Sequence, residues 1–231
     1  MQSFDYTYPT PAENLACEEA LLEECDAGTR PATLRFWESP RYFVVVGYAN
    51  KVATEVNLTA CRADDLPIHR RCSGGGTVLQ GPGCFNYALA MPAPSENVTE
   101  TNQFIMERNR AVLEKLLRQP VAIAGHTDLI VAGRKFSGNA QRRKRRCILF
   151  HGTFLLNFDL ALIEKYLQMP SKQPDYRQAR RHTAFVTNIA VTRDDLKAGI
   201  AAAWGATVTQ PILPVEIPTA RYQSAEWNFK F

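Results

Sequence analysis

The segment Arg70-Arg71-Cys72-Ser73-Gly74-Gly75-Gly76-Thr77-Val78 is the most informative in the chain. Three consecutive glycines cost backbone entropy, and a folded domain carries that cost where the main chain turns tightly or must approach a ligand closely. Backbone N–H groups with no side chains in the way form a cradle for an anion. The two arginines just before the glycines supply fixed positive charge suited to phosphate or carboxylate. The loop follows an extended stretch, Leu66 to His69, but lacks both the Gly-Lys-Ser/Thr ending of a P-loop and the GxGxxG spacing of a dinucleotide fingerprint.

Outward from this loop, a second signal is Gly133-Arg134-Lys135-Phe136-Ser137-Gly138-Asn139-Ala140, followed closely by Phe150-His151-Gly152-Thr153. A lysine on a short strand, bracketed by glycines and small polar residues, is placed to reach a bound anion. Between the two lies a run of five basic residues, Arg142, Arg143, Lys144, Arg145 and Arg146. Without it the formal net charge of +4 becomes −1, so the positive field is local. Such a run is either a solvated surface or the site of one anionic ligand or acidic partner. His151 is either a satisfied structural residue or a group that orients the site.

The elements around these segments are mixed. Thr10-Pro11-Ala12-Glu13 carries a cap residue, a proline at the first helical position and a glutamate at the third, and predicts a helix ending near Gly28. Leu34–Trp37 and Tyr42–Gly47 read as strands, the second buried on both faces. Thr99–Arg118 has helical spacing and stops before Pro120. Leu129–Val131 and Arg134–Ser137 read as a hairpin turning at Ala132-Gly133. Residues 148–158 read as a strand, and Leu160–Leu167 and Arg193–Trp204 as helices. Hairpins mixed with helices predict an α+β domain, a mixed sheet with flanking helices, rather than a doubly wound parallel fold.

The 231 residues, 45% hydrophobic and 22% charged, fit one globular domain over 1–231 and exclude disorder, collagen and coiled coil. No apolar stretch approaches the roughly 20 residues of a membrane span, and residues 1–10 lack a signal sequence, so a cytoplasmic protein acting on neither membrane nor nucleic acid is expected. Six scattered cysteines, Cys17, Cys25, Cys61, Cys72, Cys84 and Cys147, form no CxxC pair, and no metal site is expected.

Taken together, these segments resemble the biotin/lipoate protein ligase superfamily, and within it the lipoate-protein ligase A family. Asn14-Leu15-Ala16-Cys17-Glu18-Glu19 is similar to the family's first helix, and residues 71–78 to its acyl-adenylate loop. Asp128 to Val131 with 133–140 is similar to its lysine segment. His151-Gly152-Thr153, Leu155-Leu156-Asn157, Val186-Thr187-Asn188 and the terminal 222–229 segment continue the pattern. The resemblance implies the superfamily's catalytic-domain fold, related to class II aminoacyl-tRNA synthetase cores.

It also implies an enzyme that joins lipoate or octanoate to ATP, giving an acyl-adenylate and pyrophosphate, then passes the acyl group to one lysine of a lipoyl domain or H-protein-like acceptor. Lys135 is the expected catalytic residue. Arg71, Ser73, Gly74, Gly75, Gly76, Thr77, Val78, Leu79, Asn86, Asp128, Gly138, Ala140, His151 and Thr153 are the expected nucleotide and adenylate contacts, with Mg2+ neutralising the triphosphate. Arg142 to Arg146 would act as a mobile loop closing over phosphate or docking the acceptor.

Two positions depart from the family's pattern. Gln80 stands where the ligases usually have histidine, in a turn more like that of the related octanoyltransferases. The chain also ends at Phe231, where larger ligases continue into an accessory domain, so a separate accessory subunit is one expectation. The rival readings are a lipoyl-AMP-dependent lipoyltransferase, an octanoyltransferase working through a cysteine thioester, and a non-catalytic acyl-nucleotide-binding subunit. The thioester route needs a cysteine facing the lysine, yet 120–127 and 169–176 contain none. Biotin ligase fits the glycine loop and terminal segment less well.

Overall fold

Helix α1 (Pro11–Ala27) begins and ends where its sequence dictates. The Thr10 side chain accepts from the Glu13 N–H, the Glu13 carboxylate accepts from the Thr10 N–H, and Gly28 closes the helix at φ +78°. The computed structural model describes every residue except 212 and 215. Its remaining helices are α2 (Val52–Glu55), α3 (Leu58–Ala63), α4 (Val98–Leu117), α5 (Ala161–Tyr166), α6 (His182–Phe185), α7 (Arg193–Ala203), α8 (Thr219–Gln223) and α9 (Ala225–Asn228). The strands are β1 (Gln2–Asp5), β2 (Thr33–Trp37), β3 (Phe43–Val46), β4 (Ile68–Arg70), β5 (Val78–Gln80), β6 (Cys84–Pro92), β7 (Ala122–Ala124), β8 (Asp128–Val131), β9 (Arg134–Arg143), β10 (Cys147–Leu155) and β11 (Thr207–Val208).

These strands form an eight-stranded sheet, in the order β11-β1-β2-β6-β10-β9-β8-β7, and a three-stranded sheet, β4-β3-β5. Each sheet mixes parallel and antiparallel pairs. Strand alternation separates the large sheet's two faces. Phe36, Phe85, Leu89, Ile148 and Phe150 pack with Ile105 and Leu113 of α4 and with Leu196 and Ile200 of α7. On the opposite face, Ala88, Ala90 and Leu149 pack under Cys17, Leu21 and Leu22 of α1. Strand β3 is buried along its whole length, as its apolar run predicts.

Several elements differ from the sequence reading. Strand β6 sits at the centre of the large sheet and is not read from the sequence, where Asn86, Ala88 and Ala90 interrupt the alternating Phe85, Tyr87 and Leu89. The strand expected over Arg134–Ser137 continues to Arg143 and takes up the start of the basic run. Helix α1 is buried on more than one face, with Asn14 and Glu18 enclosed among its apolar residues. The hairpin turn at Ala132 and Gly133 has positive φ at both positions, +47° and +72°, as a two-residue turn requires.

The C-terminal helices are tied to the small sheet by Arg70, which is fully buried and has no carboxylate partner among the described residues. Its guanidinium donates to the carbonyls of Gly47, Tyr48 and Asn50 at 2.8–2.9 Å and to those of Trp227 and Asn228 at 3.1 Å. The Arg70 N–H donates to Asn228 Oδ1, and the Trp227 indole donates back to the Arg70 carbonyl. Arg70→Leu would strand these carbonyls, and we expect it to lower the unfolding free energy by about 3 kcal/mol or more. Urea denaturation tests this; a loss under about 1 kcal/mol would mean that the clamp contributes little.

Candidate functional site

A cavity of about 860 Å³ opens between the small sheet and the α1 face of the large sheet. That is within the size range of sites for drug-sized ligands and cofactors. The glycine loop forms one wall, β9 and β10 another, and the segment 170–186 a third.

Lys135 reaches this cavity because of a β-bulge. Asp128 pairs with Gly138 and Leu129 with Ser137, but Ile130 pairs with Lys135, leaving Phe136 as the extra residue. Phe136 turns into the core with Leu129, and strand parity shifts by one. Lys135 therefore shares the cavity with Gly138 and Ala140. Its Nζ is 2.7 Å from Asp128 Oδ1, while the Tyr176 hydroxyl donates to Asp128 Oδ2 at 2.6 Å. Burial, and then the Asp128 charge, push the Tyr176 phenol up. Lys135 lies so flat that a Cβ on Gly138 would stand 2.8 Å from its Cε and Nζ.

Arg71 is buried beneath the glycine loop and holds that loop's shape. Its guanidinium donates to the Gly74 carbonyl at 2.6 Å, the Gly76 carbonyl at 2.8 Å and Ser73 Oγ at 3.0 Å. Burial lowers its pKa to about 10, which leaves it charged at neutral pH. Gly75 takes φ +88°, and its carbonyl lies so near Gly47 that a Cβ there would be 2.1 Å away. Gly75, Gly76, Thr77, Val78 and Leu79 line the cavity; Gly74 and Ser73 lie behind them.

Ser73, His151 and Glu18 form a buried chain. Ser73 Oγ is 2.6 Å from His151 Nε2, and His151 Nδ1 is 2.5 Å from Glu18 Oε2. The Trp37 indole donates to Glu18 Oε1 at 2.8 Å. Ser73 Oγ also accepts from the Arg71 guanidinium, so the chain runs from Arg71 through Ser73 and His151 to the Glu18 carboxylate. Burial alone would raise the Glu18 pKa, but the His151 contact, the Arg35 charge and the Trp37 hydrogen bond outweigh it and hold the carboxyl below its ordinary value.

Asn86 and Thr153 also reach the cavity wall, in a closed ring with Gln80. Asn86 Nδ2 donates to Gln80 Oε1, Gln80 Nε2 donates to Thr153 Oγ1, and Thr153 Oγ1 donates to Asn86 Oδ1, at 2.6–3.0 Å. The basic run stands apart from the cavity. Arg142 and Arg143 belong to β9. Arg142 stacks on Tyr48, and Arg143 donates to the Ser95 and Glu96 carbonyls. Lys144 pairs with Glu23 at 2.7 Å, and Arg146 is bound to Asp26; Arg145 is exposed. It is the turn of a hairpin fastened to α1 and to the start of α4.

The sequence reading singled out neither Glu18 nor Trp37 as a site residue, nor Tyr176, Arg177 or His182, all of which line the cavity. Glu18 carried a usable signal, an acid in line with Leu15, Leu22 and Cys25 on one helical face. No comparable signal marks Tyr176, because residues 169–182 have no periodicity.

The lipoyl protein ligase A/B catalytic domain family matches residues 10–200, and the chain belongs to that family. It is 30% identical to the octanoyltransferase LipM of Geobacillus kaustophilus, over 98% of this chain and 96% of that protein. It is 31% identical to a Mycoplasma pneumoniae protein named "Probable lipoate-protein ligase A", over 73% of this chain and only 50% of that protein. Two solved structures share the fold. One is the bi-partite lipoate protein ligase of Thermoplasma acidophilum, described with its E2 lipoyl domain, with TM-score 0.79, 18% identity and 99% and 95% of the two chains covered. The other is a lipoate-protein ligase A bound with ATP, with TM-score 0.78, 19% identity and 99% of both chains covered. The fold is thus the α+β catalytic-domain fold of the lipoate ligases.

Two consequences are measurable. Gly138→Ala pushes the flexible end of Lys135 off Asp128, so turnover should fall about tenfold or more while unfolding free energy changes by less than about 1 kcal/mol. Unchanged turnover would mean that the lysine's position is not critical. For Glu18 the folded pKa is depressed, so its contribution is present above the unfolded value of about 4.3 and lost as pH falls through the folded value. Glu18→Gln should therefore be less stable than wild type at pH 7, with a gap that narrows below about pH 4. A gap independent of pH in urea titrations would contradict this.

Proposed function

We propose that the chain is an adenylate-forming lipoate-protein ligase. The lipoate or octanoate carboxylate attacks the α-phosphorus of ATP, and pyrophosphate leaves. The acceptor lysine's amine then attacks the acyl carbon, forming the amide and releasing AMP. Lys135, drawn from Asp128 by the ligand's greater charge, neutralises the carboxylate and α-phosphate as they meet. The N–H groups from Gly75 to Val78 form the cradle, held in shape by Arg71. Mg2+ supplies charge neutralisation to the triphosphate. Among the described residues no cluster of three acidic, histidine or cysteine groups is placed to hold a metal, so the ion fits best as a companion of the phosphates.

The observation that carries this reading over thioester transfer concerns the cavity's cysteines. Among the described residues Cys84 alone lines the cavity, and it is 1% exposed. Burial pushes its thiol far up, and the thiol donates to the Leu79 carbonyl, so no thiolate stands ready to take an acyl group beside Lys135. A second reading, octanoyl transfer from an acyl carrier protein, is supported by the full-length likeness to the Geobacillus octanoyltransferase. We further propose that residues 1–231 act as one catalytic domain in the cytoplasm. The acceptor would be a lipoyl domain or H-protein-like protein, and an accessory part would be a separate subunit, as in the bi-partite Thermoplasma acidophilum ligase.

The test is the intact mass of an apo lipoyl domain after incubation with the chain, lipoate, ATP and Mg2+. A lipoyl mass increase that requires ATP and falls at least about 100-fold in Lys135→Ala is expected. An increase only with preformed lipoyl-AMP would assign the activation step to another protein. An ATP-independent increase from octanoyl acyl carrier protein would establish the transferase reading instead.

A further inference from the structure

Two thiols meet where α1 ends and β10 begins. Cys25 lies in the last turn of α1, Cys147 opens β10, and their sulfurs are 2.8 Å apart across 122 positions of sequence. Both sit in the apolar cluster under α1, at 6% and 3% exposure. Cys17 and Cys72 share that cluster, but no sulfur–sulfur contact joins them to each other or to this pair among the described residues. The main chain around the pair is pinned. Asp26 Oδ1 accepts from the N–H groups of Arg146 and Cys147 at 2.6 and 2.9 Å, and Lys144 pairs with Glu23 one turn earlier on α1. All six cysteines are free thiols.

We propose that Cys25 and Cys147 are an oxidation site, closing to a reversible disulfide that staples α1 to β10 when a peroxide is the oxidant. In the first step one thiol reduces hydrogen peroxide, becoming a sulfenic acid with release of water. The sulfur of the second thiol then attacks the sulfenic sulfur, forming the S–S bond and releasing a second water. The net change is two thiols and one peroxide to one disulfide and two waters. The two sulfurs have only to close from 2.8 Å to a bond of about 2.05 Å.

The surroundings set the rate and the consequence. Burial, and then the neighbouring Cys147, push the Cys25 thiol up to about 12, so thiolate is scarce at neutral pH. Oxidation is therefore slow. Once formed, the bond joins the helix that carries Glu18 to the strand that carries His151. It also closes a long loop in the unfolded chain, the arrangement in which a cross-link restricts that ensemble most.

The experiment oxidises the full chain with hydrogen peroxide under native conditions, then unfolds it in N-ethylmaleimide and measures intact mass. Four maleimide adducts in place of six, with a peptide map joining Cys25 to Cys147, are expected. The oxidised chain should melt about 10 °C higher, and dithiothreitol should reverse the shift. Cys25→Ser and Cys147→Ser should each carry five adducts and show no peroxide-dependent rise. Six adducts after prolonged oxidation, or a cross-link between another pair, would overturn the proposal. So would a cross-link at these two residues with no rise in melting temperature. The wild-type map decides even if a serine variant does not fold, and none of the readouts depends on the proposed ligase activity.

Discussion

Two neighbouring arginines at the end of β4 organise this protein. A guanidinium buried without a carboxylate must find hydrogen-bond acceptors or unfold its surroundings. Arg70 and Arg71 both find them in main-chain carbonyls, and because successive side chains leave a strand on opposite sides, they gather different pieces of chain. Arg70 draws in residues 47–50 and the C-terminal helices; Arg71 draws the glycine loop into a fixed curve. The positive charge behind the loop is thus built into the fold before any ligand arrives.

The opposite wall of the cavity depends on a single extra residue. Without the bulge at Phe136, strand alternation would send Lys135 toward the core, and the Asp128 carboxylate would face the cavity with Tyr176 alone. Small residues then make room. Gly138 lets the lysine lie across the strand, and Gly152 admits the Asn139 side chain, whose Oδ1 would be 1.7 Å from a Cβ there. The Asn139 amide also holds the Thr127 carbonyl, and the Tyr87 hydroxyl donates to its Oδ1. The lysine's setting is therefore anchored through the central strand to the hydrophobic core.

Much of this was legible in the sequence, for reasons that differ by element. The boundaries of α1 were written in Thr10, Glu13 and Gly28, and the hairpin at 132–133 in an alanine and a glycine at a forced turn. The glycine loop and the lysine segment were visible because they break local rules of propensity at a cost. Strand β6 was missed although Phe85, Tyr87 and Leu89 alternate with period 2, because the residues between them are alanines and an asparagine that favour no strand; Ala88 and Ala90 make room for α1. The anchors of the basic run, Glu23, Asp26 and Ser95, were hidden because they are distant in sequence. Gln80, a departure from the family's histidine, acquired a role only when the fold brought Asn86 and Thr153 beside it.

The contact between Gly47 and the Gly75 carbonyl has a consequence for how this chain can vary. Position 47 does not line the cavity, and in the sequence it is only the residue after an apolar strand. Any side chain there would collide with the backbone of the glycine loop, and backbone cannot swing aside as a side chain does. Drift at position 47 is thus closed as firmly as at a residue touching ligand. A deep mutational scan would mark it as functional although it lies outside the cavity lining.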